Sequence, residues 1–145
     1  MHPNRKKASG YTLIEVLIAV LILSIGLLSL AFTQANSMRY THSAYLRSQA
    51  TLLSGDILDS IRTNRMNAES GAYDITIGTP ASGTGTIALN DLNTWKSNLA
   101  ARLPQGDGAI THDAANGEFT VTVQWKDRDD TTTDPPTQFQ VTTIP

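Results

Sequence analysis

The chain has 145 residues, 40% of them hydrophobic and 17% charged, with a formal net charge of −2 and no cysteine. That length suits one domain plus a separate N-terminal segment, and the lack of cysteine excludes disulfides, a thiol nucleophile and any Cys-based metal centre. Charge is unevenly placed: the cluster Arg5, Lys6 and Lys7 precedes Gly10, and all 13 acidic residues follow it. The part beyond Gly10 is therefore acidic, without the clustered Lys and Arg that hold nucleic acid by general electrostatics.

Residues 11–32 carry a single charge, Glu15. About 20 apolar residues span a bilayer as a helix. A secretory signal has a shorter apolar region, roughly 7–15 residues, followed by a small-x-small cleavage site. Here the small residues Ala8-Ser9-Gly10 come before the run. A cut at Gly10 would remove the basic leader and keep the apolar segment. The excess of positive charge on the cytoplasmic side places Arg5, Lys6 and Lys7 inside and everything after Phe32 outside. A carboxylate at bilayer depth costs about 2.5 kcal/mol or more, so Glu15 marks function and not mere anchoring.

The same helix is expected to continue well past Phe32. Leu46, Ala50, Leu53, Ile57 and Ile61 recur at spacings of four and three, one stripe of an amphipathic helix, and Leu58 widens it. Arg47, Asp56, Asp59, Arg62 and Arg65 fall mostly on other faces, with Asp59 and Arg62 spaced to pair. The pattern predicts one helix over residues 12–65, roughly 80 Å at 1.5 Å per residue. Gly26 and Gly55 are its possible bend points.

Beyond residue 65 the chain reads as a small mixed head. Residues 71–77 (GAYDITI) alternate at Tyr73, Ile75 and Ile77 and predict a strand. Residues 78–86 have loop composition. Asn90 is the expected cap of a helix whose Leu92, Trp95, Leu99 and Leu103 share a face, ended by Pro104. Trp95 reads as core. Residues 118–125 (EFTVTVQW) form the clearest strand, with Phe119, Val121, Val123 and Trp125 on one face. Residues 137–143 repeat the pattern with Phe139 and Val141, and residues 108–112 supply another strand before a turn at 114–117. The fold class is α+β: a long N-terminal helix packed on a small antiparallel sheet that is solvated on its other face.

Asp127, Asp129, Asp130 and Asp134 invite a cation hypothesis, but the calcium-loop spacing and its terminal glutamate are missing, so a solvated hairpin loop is expected. His2, His42 and His112 have no ligand pattern around them. No catalytic triad, phosphate loop or carboxylate pair is present in the spacing, and the expectation is a protein that is not an enzyme, with no cofactor and no metal.

The segment G-Y-T-L-I-E-V, Gly10 to Val16, behind a basic leader and ahead of a long apolar run, resembles the processing motif of type IV prepilins and type II secretion pseudopilins. The resemblance implies that a membrane peptidase cuts between Gly10 and Tyr11 and methylates the new Tyr11 amine. It also implies that Glu15, at mature position five, faces the N-terminal ammonium of a neighbouring subunit and sets its register. Tyr11 departs from the commoner Phe but keeps the aromatic ring. The segments SIGLLSLA, RSQATLLSGDILDSIRTNR and DLNTWKSNLAARLP are similar to PilV-type minor pilins. A disulfide-closed C-terminal loop, frequent in major pilins, is impossible here, which also points to a minor pilin.

The implied organisation is a cleaved cytoplasmic leader (1–10), a transmembrane or filament-core helix (11–32), its amphipathic continuation (33–65) and a head (66–145) exported to the periplasm and then to the pilus surface. The implied partners are other minor pilins, the major pilin, the prepilin peptidase, the inner-membrane assembly platform and a tip adhesin, in assembly that supports motility or adhesion. The alternatives are a minor pseudopilin of a type II secretion system and, disfavoured by the acidic head, a DNA-uptake pilin.

Overall fold

The computed structural model describes residues 10–82, 85–127 and 133–144. Its elements in chain order are α1 (Leu13–Thr63), α2 (Arg65–Glu69), α3 (Ile87–Arg102), β1 (Asp107–Asp113), β2 (Glu118–Trp125) and β3 (Thr137–Thr143). Two units are distinguished, one ending at Thr41 and one running from His42 onward. The first contains only helix from Leu13 on, with no buried residue among those described.

The second unit holds the core. Leu46, Ala50, Leu53, Ile57, Leu58 and Ile61 on α1 are all buried, and Ser54 joins them by returning its hydroxyl to the Ala50 carbonyl at 2.8 Å. That local bond lets a hydroxyl enter an apolar interface at little cost. The stripe meets Ala88, Leu92, Trp95 and Leu99 of α3 and Ile110, Phe119, Val121, Val123 and Trp125 of the sheet in one hydrophobic cluster. The off-face pair forms as expected: Arg62 Nη1 lies 2.7 Å from Asp59 Oδ1, both well exposed. Helix α1 continues through Gly26 and Gly55 and stops at Thr63, where Asn64 makes a turn into the short α2.

The sheet is antiparallel in the order β1-β2-β3, with Ile110 opposite Val121 and Val121 opposite Val141. Alternation along β2 is complete, each of Phe119, Val121, Val123 and Trp125 being buried. Phe139 and Val141 on β3 are half-buried at the margin of the cluster. The structure is thus the α+β, type IV pilin-like arrangement of a long helix on a small three-stranded sheet.

Two expectations require correction. Residues 71–77 do not form a strand; only Ile75 bridges to the sheet, exchanging both backbone bonds with Ile110 at 3.0 and 2.8 Å. On one side of the bridge the Asp74 carboxylate accepts the His112 N–H at 2.9 Å, so a side chain takes the place of the next ladder bond. On the flanks Gly71 and Gly78 adopt φ of 82° and 78°, left-handed values that break extended pairing. Tyr73 and Ile75 are nevertheless buried, so the alternation reported burial correctly and secondary structure wrongly. The second correction concerns the cap of α3. Thr86, extended at φ −104° and ψ 150°, accepts the Leu89 N–H, and Asn90 lies inside the helix. Starting at Ile87 lets Ala88 join the buried face. Asp129 and Asp130 of the acidic loop lie outside the described residues; among those described, no three His, Asp or Glu groups converge as a metal site.

Two polar clamps tie the loop before α3 to the core. Tyr73 Oη donates to Asp91 Oδ2 at 2.5 Å and accepts from Asn64 Nδ2 at 3.3 Å; burial and then the Asp91 carboxylate push its pKa up to about 12. Asp107 accepts from Lys96 Nζ at 2.5 Å and from the Gly78 and Gly108 N–H groups at 2.6 and 2.7 Å. Burial works to raise the Asp107 carboxyl, but these donors outweigh it and hold it below the usual carboxylate range. A carboxylate with a lowered folded pKa stabilises the fold above its ordinary value near ~4, and that contribution is lost as pH falls through the folded value. Asp107→Asn is therefore expected to cost about 1.5 kcal/mol at neutral pH, as for hydrogen bonds to a charged group. Urea titrations of wild type and variant should converge as the pH falls through the lowered folded value of Asp107, where both side chains become neutral.

Gly106 follows the C-terminus of α3, where a Cβ would stand 2.3 Å from the Leu99 carbonyl oxygen and 2.7 Å from the Leu103 Cβ. The first of these is helix backbone and cannot yield. Gly106→Ala should cost about 3 kcal/mol, the upper end of overpacking, and lower Tm by more than about 10 °C. Differential scanning calorimetry reads this directly.

Candidate processing and assembly site

The chain enters α1 through Gly10, Tyr11 and Thr12. Thr12 caps the helix: its carbonyl accepts the Glu15 and Val16 N–H groups at 3.1 and 3.3 Å, and its hydroxyl lies 3.4 Å from the Glu15 N–H. Thr12 and Glu15 therefore occupy the two positions of a Thr-x-x-Glu capping pattern, which places the carboxylate in the first turn, against the positive end of the helix dipole. This local reason for a carboxylate at position 15 was legible in the sequence as T-L-I-E and was missed.

Glu15 is exposed, and among the described residues its carboxylate has no hydrogen-bond or ion-pair partner. It stands beside Tyr11, Val16, Ala19, Val20 and Leu23, an otherwise apolar surface. Leu13, Leu28 and Phe32 are 79%, 75% and 70% exposed. The helix is long and apolar enough to cross a membrane by length and composition. Hydroxyls within the apolar stretch are satisfied by the helix itself: Ser24 bonds the Val20 carbonyl at 2.7 Å, Ser29 that of Ile25 and Thr33 that of Ser29, both at 3.0 Å. Their polarity is thus internal and compatible with a surrounding hydrocarbon phase.

A Cβ built on Gly10 would meet nothing within 4 Å among the described residues. Arg5, Lys6 and Lys7 lie outside the described residues.

Residues 5–31 match the family model of the prokaryotic N-terminal methylation motif. The N-terminus is therefore prepilin-like, of the kind carried by type IV pilins and pseudopilins. The matched methylation motif takes in the basic cluster, Gly10, Tyr11, Glu15 and the apolar run together. No curated protein and no solved structure matches the chain. The motif points to a structural subunit and not to a catalyst, and with the exposed apolar helix it fits membrane anchoring.

Proposed function

We propose that this chain is a minor pilin of a type IV pilus, of the PilV type, processed between Gly10 and Tyr11 and methylated on the Tyr11 amine. The observation that carries the reading is Glu15: a carboxylate with no described partner, on an exposed apolar helix, inside a methylation motif. The methylation motif, which takes in Gly10 and Tyr11, supports recognition by a peptidase. Arg5, Lys6 and Lys7 hold the leader in the cytoplasm and leave the head in the periplasm, ready for the pilus surface. In the assembled filament Glu15 faces the ammonium of a neighbour's N-terminus, each charge offsetting the desolvation of the other and fixing axial register. Among the described residues of the head no three His, Asp or Glu groups converge, and its task is to match other minor pilins and the major pilin at the assembly platform, priming the filament and presenting a tip adhesin.

Deletion in the native host, scored for sheared surface pili and for secreted enzyme activity, tests the assignment. Loss of pili with secretion intact is the expected result. Loss of secretion with pili intact would move the protein to the type II pseudopilins, which share the same motif. A loss of DNA uptake alone would favour the uptake pilins.

A further inference from the structure

The two edges of the sheet are finished differently. Ile110 exchanges both of its backbone bonds with Ile75, so on β1 the N–H groups of Gly108, Ile110 and His112 all point away from β2. Each is occupied: Gly108 by Asp107 Oδ1, Ile110 by the Ile75 carbonyl and His112 by Asp74 Oδ1. The same alternation carries across the continuous register. Phe119, Val121, Val123 and Trp125 direct their backbone groups to β3, where Thr143, Val141, Phe139 and Thr137 receive them. The N–H and C=O groups of Gln138, Gln140 and Thr142 consequently point outward from β3. All three residues are exposed, and those backbone groups meet no partner among the described residues. Residues 138–143 contain no charge, no proline and no bulge, the devices by which open edges are ordinarily blunted.

We infer that the outer edge of β3 is a strand-addition site whose occupant is β3 of a second copy of this chain, in antiparallel register centred on Gln140. The sequence is self-complementary in that register. Gln140 pairs with Gln140 of the copy and Gln138 with its Thr142, so every outward N–H and C=O on both strands is used. Phe139 then faces Val141 of the copy on the core side, twice over, extending the hydrophobic layer where it now ends at two half-buried residues. Registers shifted by two residues leave outward groups of the strand unmatched, and a shift of one residue would turn apolar side chains to the wrong face. The inference is independent of the filament reading, since it rests on the sheet alone.

The chain has no cysteine, so an introduced thiol reports its own contacts. The full-length chain in detergent, carrying Gln140→Cys, Gln138→Cys or Asn116→Cys, is oxidised and resolved without reductant. Position 140 alone meets its own counterpart, at a separation near 5.5 Å that a disulfide spans, so Gln140→Cys should give at least about ten times the dimer of the other two. Adding Thr142→Pro removes an outward N–H without touching the bonds to β2, and should abolish the cross-link while near-ultraviolet dichroism stays unchanged. Equal yields at the three positions, a cross-link indifferent to Thr142→Pro, or coupling of Gln140→Cys only to a different protein would each overturn the assignment.

Discussion

Glu15→Gln should leave the protein folded, membrane-inserted and cleaved at Gly10, and remove it from filaments. The amide keeps the size and shape of the side chain. The Thr12 carbonyl and hydroxyl hold the Glu15 backbone N–H whatever the side chain, so the helix start persists. The lost interaction of a carboxylate with the helix dipole is about 0.3–1 kcal/mol, spread over a helix of 51 residues. Entry into the membrane becomes easier without the charge. The proposed scissile bond, before Tyr11, is untouched. On the proposed reading, what disappears is the negative charge offered to a neighbour's ammonium. Leaving one partner of a desolvated ion pair alone costs about 3–5 kcal/mol, or roughly a hundredfold or more in incorporation. The measurement is an immunoblot of inner membranes and of sheared filaments from the same cells. Wild-type amounts of processed protein in the membrane with a filament fraction reduced at least about a hundredfold is the expected pattern. Equal incorporation of both forms would leave Glu15 the smaller role of completing a helix start.

The parts of this molecule that follow from local pattern were legible, and those set by tertiary choice were not. Beta strands with strict alternation, β2 above all, emerged with their buried faces assigned, because a sheet with one solvated face imposes a period of two. The stripe from Leu46 to Ile61 was readable for the corresponding helical reason. Residues 71–77 carried the same alternation, yet the side chain of Asp74 and the left-handed Gly71 and Gly78 replaced a strand with a single bridge. Burial constrains side chains, and two different backbone paths can bury Tyr73 and Ile75 equally well. The cap of α3 went to Thr86 and not Asn90 because an earlier start buries Ala88, a gain visible only once the helix has something to pack on. At the N-terminus the glycine, glutamate and apolar run were all apparent, whereas the Thr-x-x-Glu cap of Thr12 and Glu15 lies inside the same short segment and overlaps the charge signal. The Lys96–Asp107 clamp had no signal at all, since its partners stand eleven positions apart, one inside α3 and the other at the first residue of β1.

Trp95→Ala is expected to bring the head to the edge of unfolding. Trp95 is 3% exposed, and its Nε1 donates to the Leu53 carbonyl of α1 at 3.0 Å, joining two helices 42 positions apart in sequence. The ring also occupies the space that glycine leaves on β1: a Cβ at Gly108 would come within 2.5 Å of Trp95 Cη2. Truncating a buried Trp costs about 3–5 kcal/mol, against a typical domain stability of roughly 5–15 kcal/mol. The companion Trp125 separates the ring from its hydrogen bond. It is 1% exposed, but its Nε1 has no partner among the described residues. Trp95→Phe and Trp125→Phe remove comparable volume from the core, while only the first also removes a buried bond, the one from the indole to the Leu53 carbonyl, which keeps its place in the α1 ladder. Urea denaturation of the full-length chain in detergent, followed by the remaining Trp fluorescence, should show Trp95→Phe the more destabilising by about 1 kcal/mol. Equal losses would mean that Trp95 acts by volume alone, and that α3 is held on α1 by packing without the indole bond.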